Sequence, residues 1–286
     1  MNAIETATHP RACPLADAIG KLFIIAYKES TEQLETALTH EGFSCEVIRQ
    51  QDSAETANFS PSYRCLLNHR RAWEKALEEP QPTLIVEADF VPVVGMGKLP
   101  LPFPPDSSKL GISWLYTCAP QIYTVSDEGY AEGFSTSMVA YVITAESAKF
   151  LIELAEHIRE TIGPTNYSTW DSEIDTFLRQ RQLKNYVPFR NYGEHGGRPN
   201  PEHRQNKLST SHRADVLYGK LAFVPMYAET ENATPFTYLY VRSKARLKGL
   251  ARLAVGKYLR LPVVRNSSFP ARLLSFAIRR QLSLKL

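Results

Sequence analysis

At 286 residues, with 43% hydrophobic and 22% charged side chains, the chain has the composition of an ordinary globular protein, long enough to bury a proper core. Its four cysteines (Cys13, Cys45, Cys65, Cys118) are scattered with no CxxC pair, which argues against a disulfide framework or zinc knuckle and favours a reducing compartment. The net charge of +3 hides an asymmetry: 12 of the 33 basic residues and none of the 30 acidic ones lie in 232–286, leaving 21 basic against 30 acidic upstream, a net of −9. An acidic body with a basic tail suits contact with an anionic surface.

In chain order, residues 1–20 form a loose lead-in without the charged-then-apolar layout of a signal peptide. KLFIIAY at 21–27 is the first, central strand. Ser30 and Gln33 make a capping box for a helix running to His40, and Gly42 ends it. Residues 43–49 supply the next strand, so the opening is a β-α-β unit with a parallel sheet and right-handed crossover. A further helix has Cys65, Leu66, His69, Ala72, Trp73, Ala76 and Leu77 on one face, with Arg64, Arg70, Arg71, Glu74, Lys75 and Glu78 opposite, until Pro80 and Pro82 stop it. Residues 83–86 are a buried parallel strand that delivers Glu87 and Asp89 to its carboxyl end, where open α/β sheets place ligands. Two carboxylates so spaced can converge on a hard divalent cation that also holds phosphates.

Downstream, 92–105 is an irregular Pro- and Gly-rich loop, while 110–117, 121–125 and 135–144 have the pattern of strands. Helices are expected over 145–160 and 170–184, the second capped by Ser168 or Thr169 with Trp170, Ile174, Phe177 and Leu178 on its apolar face. The polar stretch RNYGEHGGRPNPEHR at 190–204 has almost nothing to bury, which fits a lid over a diphosphate or a solvated loop. No stretch approaches about 20 apolar residues, so no transmembrane helix is expected. The segment 236–286 alternates basic and apolar residues: Leu247, Leu250, Leu253 and Ala254, then Leu273, Leu274, Phe276, Ala277 and Ile278. Such helices suit the plane of an anionic membrane interface, or else dock on the main domain. The division is thus a lead-in (1–20), a main α/β domain (21–235) and a basic amphipathic tail (236–286).

The CxxxHxxxW helix of Cys65, His69 and Trp73, followed by an apolar strand ending in Glu87-Ala88-Asp89, resembles glycosyltransferase family 25. Gly133 and AYVITAESAKFL at 140–151 resemble that family's later strand and helix. The likeness covers roughly residues 20–185; Ala88 replaces the middle acid of the family's triplet, and Asn68 stands where Ser is common. The resemblance implies a GT-A-like, Rossmann-type mixed sheet flanked by helices. It also implies an inverting transfer of a hexose from a nucleotide sugar, most simply a UDP-hexose, to a glycan or lipid-linked glycan acceptor in lipopolysaccharide or surface polysaccharide assembly. A divalent metal, manganese or magnesium, would be held by Glu87 and Asp89, with a further histidine from His195, His203 or His212, of which His212 is the first choice.

In that setting Tyr27, closing the first strand, stacks on the nucleotide base or simply packs; Ala26, Tyr27 and Lys28 depart from the family's Asn-Leu-Asp. Arg190, His195 and Arg198 in the glycine-rich stretch are candidates for the diphosphate. Asp175 in EIDTFL matches a family position and Asp171 lies one turn away, so either can take the acceptor proton. Against that, Asp171 would complement the helix dipole and Asp175 would pair with Arg179. His69 is expected to orient Glu87 or to be a hydrogen-bonded core histidine. The location expected is cytoplasmic, with peripheral attachment to the inner face of the cell membrane. The rival function is a non-catalytic nucleotide- or carbohydrate-binding relative; nucleic acid is not an expected partner, because no basic-aromatic recognition module accompanies the tail.

Overall fold

Side-chain alternation decides where the central strands go. In the computed structural model, which describes residues 13–106, 108–198, 212–229 and 235–282, strand β1 (Lys21–Ala26) sends Phe23 and Ile25 to one side and Leu22 and Ile24 to the other. Strand β3 (Thr83–Glu87) does likewise, with Ile85 opposite Leu84 and Val86. A strand apolar on both faces must be covered twice, so these sit inside the sheet. Strand β2 (Cys45–Arg49) pairs parallel with β1 at the edge, after helices α1 (Leu15–Ala18) and α2 (Glu32–His40).

The eight-stranded sheet has the order β2-β1-β3-β8-β5-β9-β7-β6, with β5 at Leu110–Trp114, β6 at Gln121–Val125, β7 at Ala131–Phe134, β8 at Ala140–Ile143 and β9 at Lys184–Val187. Strand β8 runs antiparallel between β3 and β5, and β6 and β7 close the far edge as an antiparallel pair. Helices α3 (Pro61–Ala76), α4 (Ala145–Thr161) and α5 (Ile174–Gln180) cover one face, burying Trp73, Trp114, Tyr141 and Trp170 in one core; α1 and α2 cover the other. The chain therefore adopts the expected α/β class, a mixed sheet flanked by helices.

Caps explain the helix boundaries. Ser60 accepts from the Tyr63 amide at 3.2 Å with Pro61 opening α3, and Thr144 and Ser147 form a reciprocal capping box at α4. The box expected at Ser30 is not formed. Residue Thr31 occupies the cap, and its hydroxyl is taken up by Glu35 (2.6 Å) and Arg49 (3.1 Å) instead of a backbone amide.

Several expected elements are corrected. The lead-in is part of the body from Cys13 onward, since Leu15 is fully buried and Pro14 bridges to Pro100; residues 1–12 lie outside the described residues. Of the strand expected over 135–144 only β8 forms, because residues 135–139 carry the chain from β7, next to the far edge, to the centre of the sheet. The helix expected over 170–184 is a 3₁₀ turn (Trp170–Ser172) and α5, ended by Gln182 in the left-handed region (φ 62°). The stretch after Asp89 is not wholly irregular: β4 (Phe90–Pro92) pairs antiparallel with β10 (Gly193–His195). Nor is the polar stretch exposed over 190–197, for Arg190, Asn191 and Glu194 are buried; residues 199–204, with the candidate His203, lie outside the described residues.

The largest correction concerns the tail, whose described part forms α6 (Pro235–Ala254), α7 (Leu261–Asn266) and α8 (Pro270–Leu282). On α8 the residues Leu273, Phe276 and Ala277 join Tyr258 in the core beneath α3–α5, so this apolar face is spent inside the domain. A buried polar knot fixes the arrangement. Asp215 accepts from Arg280 (2.7 Å), Gln281 (2.6 Å) and the Tyr258 hydroxyl, and Arg280 also reaches Thr117 (3.3 Å). The 21–235 and 236–286 segments are one packed unit over their described residues.

Candidate functional site

The site is built at the carboxyl end of β3. Register pairs Ile25 of β1 with Glu87, and the Ala88 amide donates to the Ile25 carbonyl at 2.8 Å, so the turn carrying Glu87 and Asp89 lies beside the point where the chain leaves β1 at Tyr27. The helix α3 presents His69 to this turn. Its Nε2 lies 3.2 Å from Glu87 and its Nδ1 2.8 Å from the Tyr141 hydroxyl, which accepts from Trp73 Nε1 at 2.8 Å. The indole can only donate, so the Tyr141 proton goes to Nδ1, leaving Nε2–H to donate to Glu87. His69 is thus a fully buried positioning residue that orients Glu87, uniting both expected roles. Cys65 is one turn away, and its sulfur, a His69 nitrogen and a Glu87 oxygen lie within 4.8 Å of one another.

Asp89 is met from the other side. Because β10 pairs with β4 in the register His195↔Phe90, His195 Nε2 comes to 3.0 Å from Asp89 Oδ2. Burial alone would lower the imidazole pKa, but the Asp89 carboxylate outweighs it and lifts His195 to about 9. For Asp89, burial opposes ionisation, and the cations His195 and Arg213 hold its pKa below the usual value. Arg213 clamps the backbone, donating to the carbonyls of His195 (2.8 Å), His212 (2.9 Å) and Gly197 (2.8 Å) with its guanidinium 4.0 Å from the Tyr227 ring centre. Only glycine fits at 197, where a Cβ would stand 2.2 Å from Asp89 Oδ2.

The two aspartates proposed for proton transfer separate sharply. The Trp170 indole lies 5.3 Å from His69 and donates to the Ser62 carbonyl (3.1 Å), anchoring the 3₁₀ turn against α3. Asp171 on that turn feels the charge of Glu87; burial first, and Glu87 to a lesser degree, push its pKa to about 6. Asp175 faces elsewhere, accepting from Asn185 (2.8 Å) and the Tyr123 hydroxyl (3.1 Å). Burial raises the Asp175 pKa too, against the lowering by these two bonds.

The remaining candidates are divided. Tyr27 is at the right sheet end, its hydroxyl on Asp52 (2.7 Å) and Lys28 4.6 Å from its ring centre. Arg198 is exposed beside the site, whereas Arg190 is buried next to Phe189 and acts on Tyr218 and Arg246, away from Asp89. It is His195 that contacts Asp89; His212 contributes its carbonyl to the Arg213 clamp. Arg213, Tyr141 and Gly197 were not singled out in the sequence, although a glycine pair beside a histidine was a signal of close backbone approach.

The residues fit a divalent cation at the carboxylate turn. Among the described residues Asp89 Oδ1 is buried with no partner, as is His195 Nδ1, and Glu87 remains partly open to solvent. The arrangement can hold an anion against His195 and Arg213 and take up a proton at Asp171.

No protein-family model and no curated protein matches the chain. Among solved structures, a glycosyltransferase involved in the glycosylation of the major capsid of PBCV-1 is similar at 10% identity and a TM-score of 0.40, over 58% of this chain and 80% of that one. A likeness of that degree carries no argument about activity.

Proposed function

We propose that the protein is a glycosyltransferase that moves a hexose from a nucleotide sugar, a UDP-hexose, to a glycan acceptor with inversion, in lipopolysaccharide or surface polysaccharide assembly. One observation carries the reading. At the end of β3, an acidic pair (Glu87, Asp89), one of whose buried oxygens has no partner among the described residues, is flanked by cationic His195 and by Asp171 with a pKa raised to about 6. The motifs shared with glycosyltransferase family 25 support it at the same residues.

In this reading the acceptor hydroxyl oxygen attacks the anomeric carbon as the bond from that carbon to the diphosphate breaks. The acceptor proton passes to Asp171, which is ionised at pH 7 yet basic enough to receive it. The electron pair of the broken bond leaves on the nucleoside diphosphate, whose charge His195 and Arg213 are near enough to offset. Asp89 and Glu87 would hold a divalent cation, manganese or magnesium, which when bound supplies further positive charge for the diphosphate. Glu87 is kept in place by His69, and Tyr27 offers a ring at the β1 end for the base.

A panel of nucleotide sugars with and without manganese, read by thermal shift and by release of nucleoside diphosphate, tests the reading. Stabilisation by one donor together with turnover supports it. Binding without turnover in the presence of acceptor glycans would assign the chain to a non-catalytic binding protein instead.

A further inference from the structure

Helix α6 is built inside out. Its arginines point into the protein: Arg242 bonds Glu194 and the Ala214 carbonyl (2.7 Å), Arg246 bonds Gln281, and Arg252 contacts Cys118 (3.6 Å). Gly249 lies against Asp215, where a Cβ would come within 2.8 Å of the Asp215 Cβ. Four of its large apolar residues face water, with Phe236 78% exposed, Leu239 58%, Tyr240 63% and Leu247 65%, while Ala245 is buried and Leu253 packs against the core. At 3.6 residues per turn these four fall within an arc of about 100°, with exposed Lys244 and Lys248 along one flank. On α8, Leu274, Ile278 and Leu282 form a second outward stripe at i, i+4, i+8 beside exposed Arg279.

The concentration is not a general property of the surface. Of 13 large exposed hydrophobic side chains among the described residues, ten lie in α6–α8 and the links between them. Single exposed apolar side chains need no explanation, but a continuous stripe does. The charge of the same region says what covers it: from residue 232 onward the sequence has 12 basic and no acidic residues. A second copy of this face would bring like charge onto like charge, whereas anionic lipid meets both the cations and the apolar stripe. None of the described helices is long and apolar enough to cross a membrane, so the contact would be with the surface.

We propose that the outward faces of α6 and α8 dock on an anionic lipid bilayer, the apolar stripe entering the boundary between headgroups and acyl chains and Lys244 and Lys248 lying over anionic headgroups. This surface keeps Leu247, Leu274 and Ile278 of the apolar residues that the sequence pattern singled out but not Leu273, Phe276 and Ala277, which are in the core, and it does not depend on the catalytic reading.

The test is sedimentation of the full chain with phosphatidylcholine vesicles with and without phosphatidylglycerol. The protein is expected to bind the anionic vesicles at low salt, to release as salt rises, and to leave the neutral ones. Replacing Lys244 and Lys248 by glutamine should weaken binding about fivefold each. The pair F236S and L247S should weaken it at least tenfold, with the thermal midpoint held or raised because these side chains face water in the free protein. Failure to bind anionic vesicles, or equal binding by the serine variant, would overturn the proposal. So would a solution dimer that the serine variant dissociates, which would give the face to a second copy.

Discussion

Replacing Arg280 by methionine should be among the most damaging single changes in the chain, although Arg280 is far from the acidic pair in sequence. Arg280 and Asp215 are 1% and 0% exposed at the side chain and 2.7 Å apart. Methionine keeps much of the volume but leaves Asp215 charged and buried, bonded among the described residues only to the neutral donors Gln281, Tyr258, Asn191 and the Val216 amide. Stranding one partner of a buried pair costs about 3–5 kcal/mol, which for a chain of this size lowers the thermal midpoint by roughly 6–20 °C. The pH dependence identifies the cause. Burial alone would raise the Asp215 pKa, but Arg280 and its neighbours pull it to about 2, against roughly 3.9 when unfolded. In the native protein this contribution, on the order of 2–3 kcal/mol, is complete above the unfolded value and lost as pH falls through about 2. In the variant that support is gone, so the deficit should be largest at neutral pH and narrow on acidification as the stranded carboxylate takes up a proton. Calorimetry or denaturant titration of both proteins across pH measures it. A change below about 0.5 kcal/mol would show that α8 is not seated in the core, and the account of the fold's closure would be wrong.

The remaining expectations concern the acidic turn. Asp171→Asn should lower turnover about 10²–10⁴-fold with donor affinity little changed, and the wild-type rate should rise with pH through about 6; an equal loss from Asp175→Asn without a loss of stability would reverse the assignment. Asp89→Asn should abolish metal-supported UDP binding as followed by titration calorimetry while the circular dichroism spectrum is unchanged, and wild-type affinity in that variant would remove Asp89 from the site. Gly197→Ala places a Cβ 2.2 Å from Asp89 Oδ2; it should weaken nucleotide binding, and retention of full affinity would show that the His195 segment is not held against Asp89 as described.

What the sequence made legible follows from range. Strands β1, β2 and β3 and helix α3 have their own period, caps and breakers, so Glu87 and Asp89 could be placed at a sheet end from local pattern alone. Strands β4 and β10 are three residues each, too short to show a period, and each exists only because the other is present. The histidine that meets Asp89 was therefore hidden among three, and distance along the chain favoured His212. Asp175 and Arg179 have the spacing of a helical ion pair, yet Asp175 is taken by Tyr123 and Asn185 while Arg179 lies over the Tyr123 ring at 4.8 Å. The tail misled for a related reason. Amphipathic spacing marks a buried stripe without saying what buries it, and buried Glu194 and Asp215 find their cations 48 and 65 residues later.

The Asp215 knot also imposes a schedule on synthesis. Arg280 follows Glu87 by 193 positions, which at ribosomal speeds of 5–20 residues per second is roughly 10–40 s. Through that interval the β1–β3 unit can pair, and over its last 65 residues, roughly 3–13 s, the Asp215 carboxylate, and with it the loop that carries Arg213 to the His195 backbone, waits for Arg280. A nascent chain should accordingly gain sheet protection early and the His195–Asp89 contact late, leaving an exposed acidic cleft for chaperones to shelter in between.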